Sequence, residues 1–472
     1  MTRPSTKADY LASLVPPSVA ATRLSRRSML RGAAGAAAAV GVPALLAACS
    51  GSGTTTTSSS APADSTTAPA SSSSASPASS AAAGVSGTLT VGSNQSDKVP
   101  KATMAAVVDG FGKANSGVTD KINTVDHNTF QENINNYLQG SPDDVFTWFA
   151  GFRMRYFAAK GLAGDVSDVW PIDGLSDAFK NASTGTDGKQ YFVPQSYYPW
   201  AIFYRPSVFK AKGYTVPKTL DELKTLGDKM KKDGLIPIAF GDKDGWPAMG
   251  TFDQLNLRQN GYDFHISLMA GKEAWDGDKV KNVFKLWASL LPYHQPDSLG
   301  RTWQEAAQAL QQKKAGMYLL GLFVSQQFAP NEQSDLDFFK FPEVDSTIGS
   351  DAIEAPIDGW MMAAAPKNGD AAKAFLKYVG SADAANVAAK VDNTTIWANS
   401  KTDTSGYTAL QKKSVEFVAS AKNIAQFLDR DTDPTFASTV MIPAIQTFIK
   451  TPTDIDGLVK SIASQAKSIL AN

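Results

Sequence analysis

Residues 127–166 read HNTFQENINNYLQGSPDDVFTWFAGFRMRYFAAKGLAGDV. Apolar residues recur at helical spacing in NTFQENINNYLQ, a Gly-Ser-Pro turn follows, and DDVFTWFA is a short apolar run of buried-strand type. FRMRYFAAKGLAGDV then reads as a helix stopped near Gly161. Upstream, GTLTVGS (87–93) and DKINTVD are strand candidates separated by KATMAAVVDGFGKA, whose apolar residues again sit at helical spacing. The resulting alternation of strand and helix predicts βαβ units on a parallel sheet.

A second unit follows. WAIFYRPSVFK predicts a strand and a turn, and TLDELKTLGDKMKKDG a helix opened by a Thr219–Glu222 capping box. IPIAF and MYLLGLF are strand runs. Residues 251–270 and 279–291 are helical, as is TWQEAAQALQQKKAG, which opens on a Thr302–Glu305 box. LDFFKFP, the strand-like GWMMAAAPK and three or four helices complete an α/β chain. No internal repeat is visible.

Charge and cysteine content narrow the classes. The 45 basic and 45 acidic residues cancel, and no basic stripe suggests nucleic acid. One cysteine permits no intrachain disulfide, so stability must come from apolar packing, which a 43% hydrophobic composition supplies. That cysteine, Cys49, lies in SRRSMLRGAAGAAAAVGVPALLAACSGSGTTTTSSS (25–60). Arg26, Arg27 and Arg31 precede an uncharged Ala/Gly-rich run that ends in small residues, the layout of an export signal. The arginine pair resembles a twin-arginine signal, the route for chains exported folded. LLAAC resembles the bacterial lipoprotein cleavage box, which implies that Cys49 becomes the acylated first residue of the mature chain. From Ser50 to about Val85 the composition is Ser, Thr, Ala, Gly and Pro, a tether expected to be disordered. As a flexible coil of roughly 35 residues it spans about 30–35 Å. About 385 residues remain, a length that suggests two domains. Past residue 48 no apolar run is long enough to cross a bilayer, so the body is expected to be soluble and extracytoplasmic.

The order of segments from 86 to 472 resembles the family 1 extracellular solute-binding proteins of ABC importers. Residues 127–166 follow that family's helix, turn, Pro-Asp, strand, Trp, helix, Gly-Leu pattern. YFVPQSYYPWAIFYRPSVFKAKGYTVPKTLDEL matches its first crossing between lobes, QKKAGMYLLGLF its Ala-Met strand, and PIDGWMMAAAPKNGDAAKAFLKYV its return strand and helix. One departure is Gly321-Leu322-Phe323, where the family usually carries Gly-x-Trp. The resemblance implies a two-lobed α/β fold of the periplasmic-binding-protein type II, with ligand between lobes that close like a hinge. The expected bounds are 1–48 for the signal, 49–85 for the tether, 86–197 plus 325–388 for the first lobe, and 198–324 plus 389–472 for the second. The expected protein is a monomer that captures a mono- or oligosaccharide on the outer face of the cytoplasmic membrane. It would deliver the sugar to an ABC permease and its ATPase. No cofactor, metal or enzymatic activity is expected of it. A secreted lipoprotein glycosidase and a sugar sensor for a membrane receptor are the alternatives.

Sugars present flat C–H faces to aromatic rings and hydroxyls to carboxylates, amides and guanidinium groups. Trp148 matches the family's ligand-contacting Trp, with core packing as the competing reading. Arg153 follows it, and Ser96 and Asp97 lie in the loop after the first strand, where open α/β sheets admit ligands. Trp200 follows the first crossing. GDKDGWPAMGTFDQLN offers Trp246, Thr251 and Asp253, and IDGW offers Asp358 beside Trp360. Thr395 and Asp431 complete the candidates, while Trp303 reads as packing. DRDTDPTFASTV begins like a calcium loop, but Pro434 and Val440 stand where Gly and Glu are required. That excludes an EF-hand and leaves a weaker calcium site open. His127, His265 and His294 lack metal-ligand spacing and are expected at the surface or in caps.

Overall fold

The computed structural model describes residues 84–470. The signal, Cys49 and nearly all of the tether lie outside the described residues. From Val85 onward the chain forms one compact unit built on two sheets.

The first sheet has the order β11-β4-β10-β3-β1-β2. β1 (Gly87–Ser93) pairs in parallel with β2 (Val118–Thr124) and β3 (Val145–Phe149). Helix α1 (Lys98–Ala114) makes the crossover and buries Met104, Val107, Val108 and Phe111, a single helical stripe. Helix α2 (His127–Gln139) crosses back, burying Phe130, Ile134 and Leu138 and capped by Asp126, whose carboxylate accepts from Thr129 N. All five residues of β3 are buried because helices cover both faces of the sheet there. The predicted parallel βαβ pattern holds for these three strands, and the rest of the sheet is antiparallel to its neighbours. β10 (Ile357–Met362) inserts antiparallel between β3 and β4 (Val193–Tyr197), and the two-residue β11 (Ile396–Trp397) pairs antiparallel with β4. β10 arrives from the other lobe without a crossover helix on this sheet, so nothing forces it parallel.

The second sheet has the order β6-β7-β5-β8. β6 (Ile236–Ala239) and β7 (Ala315–Gly321) are parallel. β5 (Trp200–Tyr204) runs antiparallel to both β7 and β8 (Asp337–Phe339). Asp337–Phe339 therefore belongs to the second sheet and Ile396–Trp397 to the first, although the expected bounds put 325–388 with the first lobe and 389–472 with the second. β9 (Ala352–Glu354) and β12 (Asn423–Ala425) form a separate parallel pair. The chain passes from β4 to β5 in two residues, Tyr198 and Pro199, and returns between β8 and β10 through a longer segment, 340–356, that contains β9.

Local signals set the helices that reach the cleft. The predicted 251–270 helix is broken at Gly261 into α4 (Trp246–Asn260) and Tyr262–Met269. Thr302 and Glu305 form the expected capping box of α5 (Trp303–Gln311). At the start of α3 (Leu220–Lys232) the box is only half made: Thr219 accepts from Glu222 N, while the Glu222 carboxylate accepts from Lys218 N instead. Among the described residues no helix is long and apolar enough to cross a membrane.

Candidate functional site

A cleft of about 360 Å³ lies between the lobes, lined from both sheets. Its second-lobe wall is aromatic. Trp200 opens β5, Trp246 opens α4, Trp303 opens α5, and Phe323 follows β7. Phe323 is the hub, with ring centroids 6.1 Å from Trp200, 6.0 Å from Trp246, 5.0 Å from Trp303 and 5.4 Å from Tyr198. The departure from Gly-x-Trp thus leaves a smaller ring at the centre of an aromatic group. Trp303 lines the cleft as well as packing, so its reading as packing was incomplete. The indole Nε1 atoms of Trp148 and Trp200 are buried and have no hydrogen-bond partner among the described residues.

The facing side is polar and centres on Arg430, carried by the short helix α6 (Leu428–Asp431). Its Nη1 donates to Asp358 Oδ1 at 2.7 Å, and its Nη2 to the Tyr198 hydroxyl at 3.0 Å. The guanidinium lies 4.1 Å from the centroid of Phe149. Burial alone would lower the Arg430 pKa, but Asp358 and its other neighbours outweigh that and hold it charged. The backbone makes room for this arrangement at Gly151, where φ is 88° and a Cβ would stand 2.9 Å from the Arg430 carbonyl oxygen. Asp392 is engaged internally, accepting from Thr394 N, the Thr394 hydroxyl and the Thr395 hydroxyl.

At the rim, enclosure raises the pKa of Asp97 and of Asp244, and the neighbouring Asp126 pushes both further up. Burial, reinforced by Arg430, lowers that of His127 and keeps its imidazole neutral.

Of the predicted residues, Ser96, Asp97, Trp148, Trp200, Trp246, Asp358 and Thr395 line the cleft. Five do not. Trp360 shares the β10 face with Asp358 but lies two residues, about 7 Å, deeper. There its Nε1 donates to Gln195 Oε1 and its ring packs on Phe375. Arg153 is buried behind the wall, bonded to Gln131 and 3.5 Å from Asp429. Thr251 is enclosed within α4. Asp253 is fully buried, accepting from Leu428 N at 2.6 Å. Asp431 accepts from Gln426 N.

The acids of the calcium-like stretch are likewise diverted. Asp429 faces Arg153 and Arg430, while Asp433 caps Thr435 N and Phe436 N. His265 is not at the surface as expected: it is fully buried, with Nδ1 within 3.0 Å of Asn256 Nδ2. Arg430, Phe323 and Tyr198 were not predicted. The odd Leu322-Phe323 pair was the available signal for one of them, and nothing local singles out the other two.

Residues 95–386 match the family model for bacterial extracellular solute-binding proteins, more than half of the chain. The chain belongs to the bacterial extracellular solute-binding proteins. It is 45% identical to the bacterial solute receptor AcbH, covering 81% of this chain and 99% of that one with a TM-score of 0.78. AcbH is described as having an exclusive substrate preference for β-D-galactopyranose. Among curated members, an ABC transporter extracellular-binding protein of Pyrococcus horikoshii is 27% identical over 53% of this chain and 57% of its own. A probable sugar-binding periplasmic protein of Mesorhizobium japonicum is 26% identical over 42% of this chain and 49% of its own. The chain thus spans about half the length of these curated relatives. The solved structure of a chitin oligosaccharide binding protein shares the fold at 21% identity, covering 81% of this chain and 99% of that one with a TM-score of 0.73.

Proposed function

We propose that this solute-binding protein captures a neutral monosaccharide, a galactose-type pyranose first among them, outside the cytoplasmic membrane and hands it unchanged to an ABC permease and its ATPase. In this reading it acts as a monomer, anchored through a lipid on Cys49 after cleavage of a twin-arginine-like signal, with lobes that follow the two sheets. The observation that carries the reading is the cleft itself. An aromatic wall around Phe323 faces a guanidinium and carboxylate set around Arg430, the pairing that a sugar's C–H faces and hydroxyls require. Two further features support it. The cleft lining holds six aspartates (97, 126, 244, 358, 392 and 429) against the single charged Arg430, which disfavours anionic solutes. The 45% identity to AcbH points to one pyranose rather than a long oligosaccharide.

A binding role suits the carboxylates better than glycoside hydrolysis does, because Asp358 and Asp429 are both engaged by Arg430. Calorimetric titration of the full chain with neutral hexoses, hexuronates, amino acids and polyols tests the reading. One saturable site for a neutral hexose, recovered intact, is expected; binding restricted to amino acids or anions, or turnover of the sugar, contradicts it.

A further inference from the structure

Asp97 occupies the N-cap position of α1, where an aspartate ordinarily bonds its own helix, yet it makes no such bond. Its Oδ1 instead accepts from Gln304 Nε2 at 3.1 Å. α1 hangs on the first sheet and α5, which carries Gln304, leads into β7 of the second, so this bond spans the cleft. Beside it Asn128 and Asp244, again from opposite lobes, come near each other, the Asn128 amide offsetting part of the rise in the Asp244 pKa. Between the two pairs, the His127 ring meets Trp246 edge-on at 6.3 Å. All six residues line the cleft. Asp97 is exposed and Gln304, Asn128 and Asp244 are half-buried, whereas Trp148 and Trp200 are buried, which puts the cross-lobe contacts at the mouth.

We propose that the Asp97–Gln304 bond, with Asn128 and Asp244 beside it, forms a latch across the mouth that restricts the cleft to a ligand of one sugar ring. The proposal rests on the neutral-pyranose reading above. A ligand contained within the cleft leaves the rims free to meet. A second ring joined to it emerges between Asp97 and Gln304, holds the rims apart and forfeits the latch bond. Selectivity for length is then the difference between a closure that keeps these contacts and one that loses them. Asp97 and Gln304 act in this as positioning residues, through the lobes and not through the sugar.

The test uses the full chain as wild type, Gln304→Ala, Asp97→Ala, the double variant and Asp97→Asn, titrated with D-galactose and with the galactose disaccharide lactose. The wild type is expected to prefer galactose. Each alanine variant should reduce the galactose-to-lactose affinity ratio about tenfold, the effect of one lost hydrogen bond to a charged group. The double variant should reduce it no further than either single one, because both remove the same bond. Asp97→Asn, whose amide oxygen still accepts from Gln304, should keep most of the ratio. Equal wild-type affinity for the two sugars, an unchanged ratio in the alanine variants, or additive losses in the double variant would each overturn the latch. If the wild type binds neither sugar, the pyranose reading fails separately, and solution scattering decides the latch. Gln304→Ala should then show a larger radius of gyration than wild type, and identical radii overturn the proposal.

Discussion

Arg430 enters the cleft from a four-residue helix whose first backbone N–H is held by Asp253 and whose carbonyl lies against Gly151. Asp253, expected to touch ligand, instead fixes the helix that presents the guanidinium. Successive side chains on a helix fan about 100° apart. Asp429 and Arg430 therefore reach the cleft while Asp431 turns away, an orientation that the string DRD does not disclose. Replacing Arg430 by Lys keeps the charge but loses the two-armed link to Asp358 and Tyr198. Calorimetry on Arg430→Lys should show at least tenfold weaker sugar binding, about 1.4 kcal/mol or more, with little change in Tm.

Asp242 supports a second prediction. Its Oδ1 accepts from Ala248 N, its Oδ2 has no partner among the described residues, and burial pushes its pKa up to about 7. Because the folded value lies above the ordinary carboxylate value, its contribution to stability is fully present below about pH 4 and is lost as pH rises through 7. Asp242→Asn removes that loss. Urea unfolding should find the variant more stable than wild type at pH 8, by a few kcal/mol at most, and no better at pH 4. A difference independent of pH would show that the carboxyl is not protonated in the fold.

At the scale of elements, α4 carries a glycine in its middle, Gly250, where alanine would normally favour the helix by about 1 kcal/mol. Here a Cβ would stand 2.5 Å from Trp200 Cε2, so the glycine is kept for the approach of the cleft wall to the helix. Gly250→Ala should therefore destabilise the protein by about 1–3 kcal/mol and weaken ligand binding, read by thermal unfolding and titration together. Most of the elements were legible beforehand because they depend on local periodicity: GTLTVGS is β1 residue for residue, and the stripe of α1 is plain in its sequence. The direction of β10 was not legible, since it depends on where the chain has come from. Nor was the split between Asp358 and Trp360, two residues apart on one strand, because strand period gives the face and not the depth. The cleft was half-legible for the same reason. Trp148, Trp200 and Trp246 stand at element ends, where position alone predicts exposure to the cleft, whereas Arg430 and Tyr198 are brought there by tertiary packing.

Across the whole molecule, ligand contacts made to both lobes favour a closed state over an open one. At a hundredfold excess over Kd, a ligand of the folded state should raise stability by about 2.7 kcal/mol, visible as a thermal shift that follows sugar concentration. The proposed anchor is separable from this. Cys49→Ala should move the protein from the membrane to the soluble extracytoplasmic fraction while leaving its affinity for sugar unchanged; loss of affinity would mean that the terminal segment contributes to the site. The most direct measurement is a crystal structure of the protein with D-galactose. One pyranose is expected between the lobes, with a ring face on the Trp246–Phe323 wall and its hydroxyls bonded to the Arg430–Asp358 pair. Galactose bound outside the cleft, or an interlobar site filled by a ligand that avoids both groups, would contradict it.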